Sequence, residues 1–151
     1  MKRFAIAAGV VLVLAGAGVS SAHEGLHGPV KKRMDVMKWF GNSVKTIAVA
    51  VRSDEAWNAE AVEKAAAQIR SHAEELPGYF PKDDIPDHSS AKPVIWQQWE
   101  RFNGLLVELE AKADALNKAA ETGDRLATAA AFRNMGATCR DCHEIFRAPR
   151  R

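Results

Sequence analysis

The chain has 151 residues and near-balanced charge, with 21 Lys and Arg against 19 Asp and Glu. That balance leaves no strongly basic surface for nucleic acid or an anionic membrane. The length suits one domain with one core, and no internal repeat stands out beyond alanine enrichment in helical segments.

Residues 1–22 read as a cleaved secretory signal. Lys2 and Arg3 make a positive start, Phe4 to Val19 is an apolar run, and Ser20, Ser21 and Ala22 supply small residues for cleavage before His23. A retained anchor is the competing reading, but the run is short for a span of about 20 residues. The pattern looks bacterial and places the product in the periplasm. Residues 23–151 then form a single domain with no stable membrane insertion. Removing Lys2 and Arg3 takes Lys plus Arg from 21 to 19 and leaves that domain formally neutral.

Four segments carry helical periodicity. The first runs from about Pro29 to Arg52, with proline suited to a first helical position. Val30, Met37, Val44 and Val51 recur every seventh residue, and Arg33, Phe40 and Ile47 fill the companion positions. This predicts an inward stripe with one odd member, Arg33. Ser53-Asp54-Glu55 reads as a capped turn. A second helix follows from about Glu55 to Leu76, with Val62, Ala66, Ile69, Ala73 and Leu76 inward, and Pro77-Gly78 stops it. Pro77, Pro81, Pro86 and Pro93 exclude regular helix from the long connection. A loop of that length is functional or tied down, and Tyr79 and Phe80 are the side chains to pack it. In the third helix Ile95, Trp99, Phe102, Leu106, Leu109, Ala113, Leu116 and Ala120 alternate steps of four and three without a break. Thr122-Gly123-Asp124 makes the next turn. The fourth helix spans about Arg125 to Arg147 and lines up Thr128, Phe132, Met135, Cys139, Cys142 and Phe146. Four amphipathic helices with two short connections predict an all-α fold, an antiparallel up-and-down four-helix bundle.

The chemistry sits on the last helix. Cys139-Arg140-Asp141-Cys142-His143 is a Cys-x-x-Cys-His run, the attachment signature of c-type haem. Two thiols three positions apart on a helix can each form a thioether to one haem vinyl group. His143 is then held under the iron, where its imidazole can serve as an axial ligand. The expectation is one covalently attached haem c per chain, bound by Cys139 and Cys142. Other readings of the pair fit less well. A thioredoxin-like redox motif belongs in a βαβ context, a zinc site needs further ligands that nothing after His143 supplies, and a disulfide this short staples little chain. The cysteines lie on the inward face, so the haem is expected inside the core.

Taken together, these features resemble the class II c-type cytochromes, the cytochrome c prime family. Arg33-Met34-Asp35-Val36-Met37-Lys38 is similar to the family's Arg-x-x-x-Met/Leu/Phe segment. Cys139 to Arg147 is similar to its Cys-x-x-Cys-His-x-x-Phe/Tyr-Arg ending, and Lys92-Pro93-Val94-Ile95-Trp96 to the start of its third helix. The resemblance covers nearly the whole mature chain. It implies two branches. In the low-spin branch a methionine of the first helix ligates the iron and the role is electron transfer. In the high-spin branch an apolar side chain covers a five-coordinate iron that binds nitric oxide or carbon monoxide. The deciding position corresponds to Met37, which can be ligand or lid. The surroundings, including Leu76-Pro77-Gly78-Tyr79-Phe80-Pro81, look more like the low-spin members. The implied role is therefore a periplasmic electron carrier, not an enzyme, whose partners are other periplasmic redox proteins. The family includes monomers and also dimers built from the first two helices, so a homodimer stays open.

For single residues the plain and the functional readings stand side by side. His143 is expected as the proximal ligand and Met37 as the distal one, although a Met on a helical stripe is more often core filler. Met34 and Met135 are the weaker alternatives. Arg33 would pair with a haem propionate or else snorkel to solvent. Arg147 follows His143 by four residues and would lie near the proximal face, or serve the helix dipole as a C-terminal charge. His23-Glu24-Gly25-Leu26-His27 spells the zincin pattern, but it lies at a chain terminus with Gly25 inside it and no third ligand. His72 and His88 read as surface histidines.

Overall fold

Each helix boundary has a local cause. The computed structural model describes residues 28–82 and 89–149. The expected signal, the His23–His27 motif and His88 lie outside the described residues. Helix α1 spans Gly28–Ala50, with Pro29 in its first turn. Helix α2 spans Ala59–Glu75 and is capped by Asn58, whose side-chain oxygen accepts from Ala61 N at 2.9 Å. It starts later than the Ser53–Glu55 capping reading predicted. Residues 53–57 are instead spent on a turn, in which Ser53 Oγ accepts from Ala56 N and Trp57 N donates to Asp54 O. Arg125 reaches across to this turn and binds Asp54 and the carbonyl of Val51. A single 3-10 turn, Leu76–Tyr79, extends α2 at Pro77.

The third predicted helix is two pieces. Helix α3 is short, Val94–Gln97, and α4 spans Trp99–Glu121. Gln98 between them has φ −122 and ψ 42, outside helical values. The break follows from anchors that α3 has outside α4. Trp96 Nε1 donates to the carbonyl oxygens of Phe80 and Pro81, at 3.4 and 3.1 Å. Helix α5 spans Arg125–Phe146 and is capped by Asp124, after a turn in which Gly123 takes φ 74.

The four long helices form an antiparallel bundle in which α1 packs on α2, α2 on α4 and α4 on α5. The predicted stripes of α2 and α4 are buried, apart from Trp99, which is half-buried. On α1 the deepest face is turned slightly from the predicted one. Arg33, Val36, Ser43, Ile47 and Ala50 are buried, whereas Met37 is 39 % exposed. Two core clusters result. One joins Ile47 and Ala50 to the alanine-rich faces of α2 and α4 and to Met135. The other gathers Val36, Leu76, Phe80, Ile95, Phe102, Leu106 and Phe146. No helix among the described residues is long and apolar enough to cross a membrane.

Candidate haem site

Between α1 and α5 the second cluster opens into a cavity of about 580 Å³, a volume within the ordinary range for cofactor sites. From α1 it is lined by Val30, Arg33, Met34, Met37, Lys38, Phe40, Gly41 and Val44. From α5 it is lined by Thr138, Cys139, Cys142, His143, Phe146, and then by Arg147 just beyond. Leu105, Leu106 and Leu109 of α4 form part of the wall, and Phe80 with Ser89 to Ala91 closes one end. All six residues expected at the site, Arg33, Met37, Cys139, Cys142, His143 and Arg147, therefore border one space. Met34 borders it too, while Met135 is fully buried in the other cluster.

The donor set fits a tethered haem. Cys139 and Cys142 are half-buried free thiols on consecutive turns of one helix face. Burial pushes the Cys142 thiol up to about 11, with the neighbouring Cys139 adding to the shift. Burial likewise raises Cys139. A thioredoxin-type pair has a depressed thiol pKa, and this pair goes the other way. The thiols are neutral side chains that face an apolar space, as a thioether to a buried macrocycle requires.

Around them Phe40, Phe80, Phe102 and Phe146 add aromatic rings to the wall. Phe80 meets Phe102 edge-on at 4.8 Å between ring centroids, and Phe102 meets Phe146 edge-on at 5.3 Å. Arg33, only 5 % exposed, lies with its guanidinium carbon 4.7 Å from the Phe80 ring centroid. The side chain is thus buried at the cavity, which decides against simple snorkelling. Arg147 is half-buried, and its N–H donates to the His143 carbonyl at 3.1 Å.

Two contributors were not legible in the sequence. Lys92 satisfies three successive carbonyls at the end of α5. Its Nζ donates to Glu144 O at 3.1 Å and Ile145 O at 3.0 Å, and its backbone N–H donates to Phe146 O at 2.9 Å. Ala148 N donates to Ser90 O at 2.7 Å beside this, and residues 91 and 147 form an antiparallel bridge. The strap before α3 is therefore fastened to the turn that carries His143. Only the Lys-Pro pair before α3 hinted at it. Thr138, buried in the cavity wall, donates to Glu108 Oε1 of α4 at 3.1 Å. Position 138 lies off the predicted stripe of α5, whose one hydroxyl is Thr128, so no sequence signal marked it. His72, expected at the surface, sits against the rings of Trp39 and Phe40 at 6.0 and 6.5 Å.

The chain is similar to known proteins over most of its length. The family model described as Cytochrome C' matches residues 28–147. A cytochrome c-556 of Agrobacterium tumefaciens is 32 % identical over 120 residues, which cover 80 % of this chain and 97 % of that protein. A cytochrome c' of Rhodospirillum rubrum is 31 % identical over 149 residues, covering 98 % and 99 % of the two chains. Among solved structures, cytochrome c' from Rhodopseudomonas palustris superposes with a TM-score of 0.75 at 26 % identity, over 83 % of this chain and 100 % of that one.

Proposed function

Because this chain belongs to the cytochrome c' family and carries one covalently attached haem c, we propose that it is a monohaem electron carrier of the periplasm, with His143 and Met37 as the two axial ligands. Cys139 and Cys142 form the tether. When bound, the haem supplies a one-electron ferric–ferrous couple, and Met/His ligation raises its potential. The observation that supports the reading is that Cys139, Cys142 and His143 of α5 and Met37 of α1 line one cavity.

The chain's own residues then divide the work. Phe80, Phe102, Leu106 and Phe146 form a buried apolar cluster that would keep water from the haem. Arg33 and Arg147 place cationic groups at the cavity, where carboxylate propionates find charge-assisted donors. The strap at residues 90–92 holds the turn after His143 and so orients the imidazole. No substrate is converted, so the protein is a carrier and not an enzyme. Its partners are periplasmic redox proteins that dock briefly through a small interface. Residues 1–22 are the export signal and residues 23–151 the working domain.

One observation favours a second reading. Met37 is 39 % exposed, so its side chain is not committed to the core. As a lid instead of a ligand, it would leave a five-coordinate iron for nitric oxide or carbon monoxide. Absorption spectra separate the two. The carrier reading expects a low-spin ferric protein with a long-wavelength sulfur-to-iron charge-transfer band that Met37→Ala abolishes. A wild-type protein that is high-spin and takes up carbon monoxide rapidly would establish the lid instead.

A further inference from the structure

Three long helices carry an interior glycine: Gly41 in α1, Gly104 in α4 and Gly136 in α5. Glycine is among the least favourable residues in a helix interior. None of these three has a left-handed backbone, and a Cβ added at any of them would meet nothing within 4 Å. Packing within the chain therefore explains none of them. Of the three, only Gly41 borders the central cavity.

Its position relative to Met37 is what matters. Residues 37 and 41 are four apart and share a helix face. A helical side chain leans toward the N-terminus of its helix and covers the turn before its own Cα. Any side chain at position 41 would therefore lie over the turn that carries Met37. It would crowd the same stretch of cavity wall from which the thioether must project.

We infer that Gly41 is the positioning residue that makes Met37 a ligand: by lacking a side chain, it leaves the thioether the space it needs beside the haem. The inference rests on the His143/Met37 reading above. Gly41 itself supplies no contact to the iron, and its role is specificity between the ligand and lid states of Met37. Gly104, which has the same open surroundings but lies away from the cavity, has no such role.

The test uses purified holoprotein of the full chain, exported with a haem-attachment system. Ferric and ferrous spectra and carbon monoxide association are compared for wild type, Gly41→Ala, Gly41→Leu, Gly104→Ala and Gly104→Leu. Alanine and leucine are both good helix formers, so backbone propensity does not confound the series. Gly41→Leu should lose most of the charge-transfer band, turn high-spin and bind carbon monoxide faster. Gly41→Ala should lose part of it, and both Gly104 variants should keep the wild-type spectrum. A wild-type spectrum in both Gly41 variants, or in Gly41→Ala if Gly41→Leu takes up no haem, overturns the inference and leaves the ligation reading standing. Equal losses in the Gly41 and Gly104 variants also overturn it. A wild type that lacks the band removes the ligation reading and this inference together.

Discussion

Where α2 crosses α4, alanines at positions 65, 66, 73, 113 and 120 let the helices approach closely, and Ile69, Leu116 and Met135 fill the space between them. In the other region Phe80, Phe102 of α4 and Phe146 of α5 stand edge to face, and the wall between α1 and α5 opens into a cavity. The first region is closed by the chain alone, since its core residues are at most 5 % exposed. The second leaves Met34 and Met37 about as exposed as surface residues, at 41 % and 39 %. Small side chains build a seam and large rigid ones build a frame. The frame borders the cavity proposed for the haem, and the seam packs behind it.

The hardest blow to that contrast is to remove the tether. The double substitution Cys139→Ala, Cys142→Ala should abolish covalent haem, read as loss of haem staining on a denaturing gel. Amide exchange should then speed up more at residues 33–44 of α1 than at residues 62–73 of α2. Uniform acceleration would mean that the two regions are not separate. Next comes Leu116→Ala at a fully buried position of the seam. It should cost about 2–5 kcal/mol in urea unfolding and leave the absorption spectrum unchanged. A smaller loss is expected for Lys92→Met, which leaves the carbonyls of Glu144 and Ile145 without their side-chain donor. About 0.5–1.5 kcal/mol is the scale for such a deletion, and here the spectrum should shift as well, because the turn after His143 is loosened.

Acid should distinguish the regions least. The hydrogen bond from Lys31 holds the Asp35 carboxyl below its usual value on α1, and that from Lys118 does the same for Asp114 on α4. A carboxyl lowered in the folded state adds stability above its unfolded pKa, and that contribution is lost as pH falls through the folded one. Both pairs are exposed, so the effect is small. Asp35→Asn and Asp114→Asn should each flatten the acid limb of a urea-midpoint curve by a similar, slight amount.

The seam was the easier part to read from sequence. Alternating steps of four and three found Val62, Ala66, Ile69 and Ala73, and again Phe102 to Ala120, because those faces meet protein on one side and water on the other. The Cys-x-x-Cys-His run likewise announced its chemistry through local spacing alone. Around the frame the pattern is less informative. A repeat of seven gave Val30 and Met37 the same rank, yet Val30 is 6 % exposed and Met37 is 39 %. Both border the cavity, but only Val30 is also covered by protein. The break at Gln98, the strap at residues 90–92 and the clamp by Lys92 all depend on partners far along the chain, as with Lys92 and Glu144, 52 residues apart. No window of local sequence contains such a pair.

The way α1 is hung has its own consequence. Among the described residues its close neighbours are α2 and the turn that extends it, with the cavity on its other flank. Swinging it outward would break its interface with α2 and uncover both core clusters, since it gives Val36 to one and Ile47 and Ala50 to the other. Solvent access by that route therefore costs packing in both clusters, a larger opening than fraying at a helix end.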